Sequence, residues 1–346
     1  MKRLLLALPF VLAFLGGIGL ISFPRYLFSP LGFFPWIGIY YGYITIIVPI
    51  VFALSAALFF KKHKLAAWIY LALAVLLGLV RVYATYIEPY ALEIRHETFK
   101  SPKIDRTIRL LHVSDIQSDG IGAYEQRVFD CAAALNPDIV IYTGDYLQLA
   151  PGRDLQGQID KLRSLTQSLS PPLGQYGTDG NVGHRAILYS LSKERSPMAL
   201  ENKMIEIDEE GVRLRLLGVT FRHCFEPWPE ELHQALRDRP DVFTILAGHA
   251  PDYVFQIEPG DEVDLCLAGH THGGQVVFPF FGPLFTASRL PRRYVQGFNE
   301  YGGFFLNVSA GIGCEHAFCL PPIRFLRPPE LVLITIEPQD GVSSVD

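Results

Sequence analysis

Cysteine is sparse in this 346-residue chain: the five present, Cys131, Cys224, Cys266, Cys314 and Cys319, form an odd, scattered set, which argues against a disulfide framework. Lys and Arg form no stripe, and the formal net charge is −5, so nucleic acid is excluded as an expected partner. No repeat period or low-complexity tract appears. Neither a glycine-rich phosphate loop nor a serine-centred elbow is present, so no nucleophile of the protein's own is indicated.

Charge is missing from most of the first quarter. Residues 4–23 and 36–60 carry none and residues 65–87 carry only Arg81, and each run is long enough to cross a hydrocarbon core of roughly 30 Å as a helix. About three transmembrane helices are therefore expected within residues 1–89, with the bilayer as partner and a soluble domain over residues 90–346. A cleaved signal peptide would have a shorter apolar core and a small-residue cleavage site. Lys2, Arg3 and the cluster Lys61, Lys62, His63 and Lys64 share one side of a three-span layout, which favours an inner-membrane, multi-pass protein with its large domain extracytoplasmic. Arg95, Lys100, Lys103 and Arg106 pull the other way. A transporter built on the spans is disfavoured because Arg81 is the only ionisable residue inside them.

After Pro89 the chain alternates strand-like and helix-like stretches. "IRLLHVSD" (108–115), a helix-spaced segment over 124–137 and "DIVIYTGD" (138–145) read as a βαβ unit with parallel strands. Further strands are expected at 211–219, 241–249, 263–274, 303–313 and 330–337, with a helix over 229–240. Ligands of α/β sheets bind beyond the carboxyl ends of the strands, and the polar residues of interest fall there.

Four motifs share that position. "SDIQ" offers Asp115 and Gln117, two apart and so on one face if the strand continues; "TGDY" offers Asp145; "GHA" offers His249; "GHTHGGQ" offers His270 and His272. Alone, Asp115 or Asp145 is better explained as a helix N-cap and His249 as a core or surface histidine. Two histidines bracketed by three glycines after an apolar strand are hard to explain structurally, and carboxylates, an amide and imidazoles at one edge suit Mn²⁺, Fe or Zn²⁺. "CEHAFC" (314–319) lacks a second ligand pair and reads as incidental.

In this order the motifs resemble those of the calcineurin-like metallophosphoesterase superfamily, which run DxH, GD, GNH(D/E), H and GHxH; the GHTHGGQ form resembles its membrane-attached members. The resemblance implies a four-layer αββα sandwich and two divalent metal ions. Carried over, Asp115, Gln117, Asp145 and His272 would hold one ion, and Asp145, Asn181, His249 and His270 the other. Two ions roughly 3.5–4 Å apart clamp a phosphate and acidify a bridging water into the nucleophile.

Two positions depart from the pattern. Gln117 replaces a histidine with a neutral, harder oxygen ligand, which tilts the metal towards Mn²⁺. In "DGNVGH" (179–184) Val182 stands where the superfamily has a histidine that contacts phosphate and helps protonate the leaving group, a role worth about 10² to 10⁴ in rate. His184, two residues on, is the candidate substitute, and Asp179 is either a turn former or a site member. The expected activity is hydrolysis of a phosphoester or phosphoanhydride, with a lipid-linked substrate favoured by the tether. The alternative is a catalytically silent module that binds metal or phospholipid headgroups.

Overall fold

The computed structural model describes residues 2–22, 33–182, 184–193, 197–209, 211–283, 285–316 and 321–339; within these, the side chains of residues 2–6, 18–22, 33–37, 184 and 185 are left aside. Two compact units result, one of residues 1–89 with 316–324, the other of residues 90–315 with 325–346.

The first unit is helical. Gly38–Phe59 and Lys64–Tyr90 are long and apolar enough to cross a membrane by length and composition. Of residues 4–23, expected as a third span, 4–22 lie in a helix over Lys2–Ser22 whose apolar stretch, Ala7–Gly17, is shorter than a span, and Phe23 lies outside the described residues. The two long helices pack along one face, with the rings of Phe52 and Tyr70 stacked 5.8 Å apart, and turn Leu54, Leu58, Leu65 and Leu79 outward. Arg81, the one charged residue between Lys64 and Glu88, donates to Thr45 Oγ1 at 2.8 Å and lies over the Tyr41 ring, so its charge is met within the helix pair.

The second unit is a sandwich of two six-stranded sheets. The first comprises β1 (Glu93–Ser101), β2 (Ile108–Val113), β3 (Ile139–Thr143), β4 (Gln175–Thr178), β5 (Met198–Ala199) and β14 (Glu330–Pro338), ordered β1-β14-β2-β3-β4-β5. The second comprises β6 (Lys203–Glu209), β7 (Val212–Gly218), β8 (Phe243–Ala247), β9 (Leu265–Ala268), β12 (Gly297–Tyr301) and β13 (Phe304–Val308), ordered β12-β13-β9-β8-β7-β6. A short hairpin, β10 (Val277–Phe278) with β11 (Gly282–Pro283), follows β9. The expected βαβ unit is present: β2 pairs in parallel with β3 across the helix Ala123–Ala134.

Both faces of the central strands are apolar, as burial on two sides demands. Leu110, Ile139 and Ile141 of one sheet meet Leu216, Ile245 and Leu267 of the other in the inter-sheet core. The opposite faces are covered by helices, Ala123–Ala134, Leu155–Gln167 and His184–Ser192 on the first sheet and Glu230–Arg237 on the second. This mixed α/β sandwich is consistent with the expected layering. Near the carboxyl ends the sheets are tied by His112, whose ring bonds Thr143 Oγ1 at 2.8 Å and the Asn307 amide at 2.7 Å.

Candidate metal centre

β2, β3, β8 and β9 end together, and each is followed by one motif. The mechanism that turns the side chains inward is not strand alternation, because β2 stops at Val113 and β9 at Ala268, before the residues of interest. The backbone instead enters the left-handed region at Asp115 (φ 47°), Gln117 (38°), Asp145 (50°), His270 (67°) and His272 (48°). Side chains adopt that region at a cost of about 1–3 kcal/mol each, and such residues concentrate at functional sites. Five in one place mark a site that the rest of the fold holds in shape.

Glycine permits the close approach. Gly144, at φ 91°, lies so near its neighbours that a Cβ there would meet the Asp179 carbonyl oxygen and His249 Nδ1, each at 2.6 Å. Neither Asp115 nor Asp145 is a helix cap: the N-cap of the helix Ala123–Ala134 is Gly122, whose N–H donates to Glu125 Oε2 at 2.8 Å, and that of Leu155–Gln167 is Asp154.

Ligand atoms of Asp115, Asp145 and His249 lie within 4.8 Å of one another, and all three residues are buried. Around His249 Nε2 stand Asn181 Oδ1 at 2.9 Å, Asp145 Oδ2 at 3.1 Å and His270 Nδ1 at 3.2 Å. The other ring nitrogen, Nδ1, donates to the Thr143 carbonyl at 2.7 Å, the kind of backing bond that orients metal-binding histidines. His272 Nε2 is 3.6 Å from Asp115 Oδ1. Gln117 Oε1 is buried without a hydrogen-bond partner, while its amide nitrogen donates to Glu315 Oε2 at 2.7 Å. The structure thus brings Asp115, Asp145, Asn181, His249 and His270 to one place, puts His272 beside Asp115, and leaves the Gln117 oxygen unspent. The His184 backbone opens a helix, and its side chain lies outside the described residues.

This donor set fits a cation. One proton on His249 Nε2 can serve only one of the three atoms around it, whereas a metal ion would satisfy them together, and a second ion beside Asp115 would take the Gln117 oxygen. Charge agrees. Burial pushes the Asp115 carboxyl up to about 6, opposed by His249 and reinforced by the Asp145 charge. Burial pulls His249 down, but Asp145, Asp115 and the Thr143 carbonyl outweigh it and lift the ring to about 9. Burial and the His249 charge lower His270 to about 4. The carboxylates hold a positive charge at His249, which a metal would replace with release of the proton.

Val182 has a role that its side chain does not advertise: its backbone N–H donates to Asp145 Oδ1 at 2.8 Å. Any residue there supplies that bond, so the loss of histidine leaves the hold on Asp145 intact.

Glu315 was legible only as part of an incidental-looking "CEHAFC". Besides Gln117 it accepts from the Gln148 amide at 2.9 Å, and both its backbone groups are held by Gln275, the last residue of GHTHGGQ, at 2.9 and 3.0 Å. The carboxylate aims Gln117. We expect Glu315→Ala to weaken metal binding about 10- to 100-fold, as loss of a ligand-orienting partner does. The metal concentration giving half-maximal Mn²⁺ binding measures it; an unchanged value removes Glu315 from the site. Cys314 is buried, and Cys319 lies outside the described residues.

Residues 108–274 match the family model of the calcineurin-like phosphoesterases, a stretch holding all seven candidate ligands. The chain is 27% identical over 265 residues to the uncharacterized metallophosphoesterase YkuE of Bacillus subtilis, with 74% of this chain and 89% of that protein covered. It is 29% identical over 287 residues to an uncharacterized metallophosphoesterase of Aquifex aeolicus, covering 77% of this chain and 98% of that one. Among solved structures, the NAD nucleotidase of Haemophilus influenzae overlaps 60% of this chain and 51% of its own at 12% identity, with a TM-score of 0.41.

Proposed function

We propose, taking as premise the calcineurin-like metallophosphoesterase superfamily that the family model and the relatives' names support, that this chain is a membrane-anchored hydrolase of a phosphoester or phosphoanhydride. The observation that carries the reading is the convergence of Asp145, Asn181 and His270 on His249 Nε2 beside buried Asp115. Asp115, Gln117, Asp145 and His272 would hold one divalent ion and Asp145, Asn181, His249 and His270 a second, with Asp145 shared. Two such ions supply an activated water and stabilise charge on the leaving oxygen. The unspent Gln117 oxygen favours Mn²⁺ in the first position. The helices Gly38–Phe59 and Lys64–Tyr90 supply the anchor, which makes a lipid-linked phosphate an accessible substrate.

The residues of the chain have separable tasks. Thr143 fixes the His249 tautomer through its carbonyl, Val182 and His249 hold the two oxygens of Asp145, and Ser114 and His270 N–H hold those of Asp115. A silent headgroup-binding module has no need of this preorganisation.

Metal supplies a test with two readouts. With Mn²⁺ at about 100 times its dissociation constant, binding adds about 2.7 kcal/mol to stability. The melting temperature of the purified chain therefore rises with Mn²⁺ and falls back on chelation, and hydrolysis of bis-p-nitrophenyl phosphate and of a pyrophosphate diester appears over the same range. A Mn²⁺-induced shift with no turnover of either substrate would leave the silent module as the reading; no shift at all removes the metal centre.

A further inference from the structure

A cavity of about 460 Å³ opens beside Asn181, bounded also by Asn202, Phe221, Arg222 and His223. It adjoins the centre described above: the Phe221 ring lies 5.7 Å from that of His249 and 5.6 Å from that of His270. Asp179, the first residue of "DGNVGH", ties the two loops together by accepting the Phe221 N–H through Oδ1 at 2.6 Å.

His223 is held there in one tautomer. Asn202 Oδ1 accepts the Thr220 N–H at 3.0 Å, which turns the Asn202 amide nitrogen towards His223 Nδ1, 3.0 Å away. An NH₂ group only donates, so Nδ1 accepts and the ring proton resides on Nε2. Thr220 Oγ1 lies 2.8 Å from the same Nδ1 and adds a second donor. Asn202 is kept at φ 51° to do this, a backbone angle that disfavours side chains.

We propose that this cavity is the leaving-group subsite of the phosphohydrolase and that His223, through Nε2–H, is the hydrogen-bond donor to the leaving oxygen. The assignment rests on the phosphohydrolase reading above. The group is electrically neutral. As the water oxygen bonds to phosphorus and the bond to the leaving oxygen breaks with its electron pair, the new charge meets the Nε2–H dipole. No proton leaves the ring; the leaving group takes its proton from solvent afterwards. His223 thus serves the half of the work at Val182 that concerns charge. Asn202, Thr220 and Asp179 are positioning residues. The ring of Phe221 suits a leaving group that is aromatic; Arg222 beside it is paired through Nε with Glu226 Oε2 at 2.6 Å.

Gln substitution separates this role from proton transfer, since its amide N–H can stand where Nε2–H stands but cannot act as an acid. His223→Ala, His223→Gln and His184→Ala are assayed as full-length chains with Mn²⁺ on p-nitrophenyl and phenyl esters of phosphate, with Asp145→Asn as the chemical blank. Loss of one such preorganised donor costs about 10²- to 10³-fold in kcat. We expect that loss in His223→Ala, larger for the phenyl ester with its poorer leaving group, and recovery of at least about tenfold in His223→Gln. His223→Ala at wild-type rates on both esters overturns the proposal, as does His223→Gln as slow as the alanine variant. A fall confined to His184→Ala transfers the role to that residue. If wild type and Asp145→Asn are equally inert, the phosphohydrolase reading itself is what fails.

Discussion

Asp145→Asn is expected to lower Mn²⁺-dependent hydrolysis about 10³-fold or more, because Lewis-acid stabilisation of the transition state is worth several kcal/mol and each ~1.4 kcal/mol is a factor of ten. Asparagine matches aspartate in shape and keeps an oxygen for the Val182 N–H, now 2.8 Å from Oδ1. The negative charge is lost, and so is the second oxygen, which faces His249 Nε2 at 3.1 Å. If Asp145 is shared by two cations, as proposed, it cannot be neutralised without weakening both. In the metal-free protein two effects oppose each other: removing the Asp145 charge relieves buried Asp115, and it also takes from His249 the ion pair that holds its positive charge. The Mn²⁺ response is therefore the readout, and Asp145→Asn should show little upward shift in melting temperature with Mn²⁺. Turnover within threefold of wild type, or a normal Mn²⁺ shift, would sink the shared-ligand role.

How much of this could be read from the chain follows from where the physics is local. β2, β3, β8 and β9 are short apolar runs buried on both faces, so hydropathy alone places them, and the motifs at their ends come with them. β1 escaped because "EIRHETFKS" is an edge strand, exposed over most of its length and with no apolar run to announce it. Its pairing is equally silent in the sequence: β14, the last strand, inserts between β1 and β2, a contact across more than 200 residues fixed only by tertiary packing. The same divide separates ligands from their supports. Asp145, His249, His270 and His272 sit in recognisable glycine-flanked motifs, and Asp115 sits in SDIQ at the end of an apolar run. Glu315 and His223 act through contacts with Gln117 and Asn202 that no spacing encodes. Two apart along a strand, as Asp115 and Gln117 are, would have been a sufficient reason for a shared face; the left-handed backbone at both shows that the chain reaches the same end by strain instead.

The Gly144→Ala substitution tests that strain directly. A methyl group at Gly144 would sit 2.6 Å from both the Asp179 carbonyl oxygen and His249 Nδ1, with Gly180 Cα at 3.0 Å. The first is backbone, and the second belongs to a ring pinned by its bond to Thr143, so neither can swing aside as a flexible side chain would. Holding alanine at φ 91° costs about 1–3 kcal/mol, and forcing a methyl into a close-packed interior adds about 1–3 more. A loss near 3 kcal/mol is expected, which for a domain of this size lowers the melting temperature by about 6–12 °C. Function should suffer beyond that loss. Relaxing the overlap moves His249 and the loop carrying Asp179 and Asn181 away from Asp145, and Gly144 also accepts the Asp115 N–H at 3.2 Å through its carbonyl. Folded Gly144→Ala should thus bind Mn²⁺ more weakly even at temperatures where it is fully native. Paired melting curves with and without Mn²⁺ read both effects. A melting temperature within 1–2 °C of wild type with the full Mn²⁺ shift retained would mean that the loop between β3 and Asp145 is looser than its geometry demands, and that the ligands owe their positions to the metal and not to the fold.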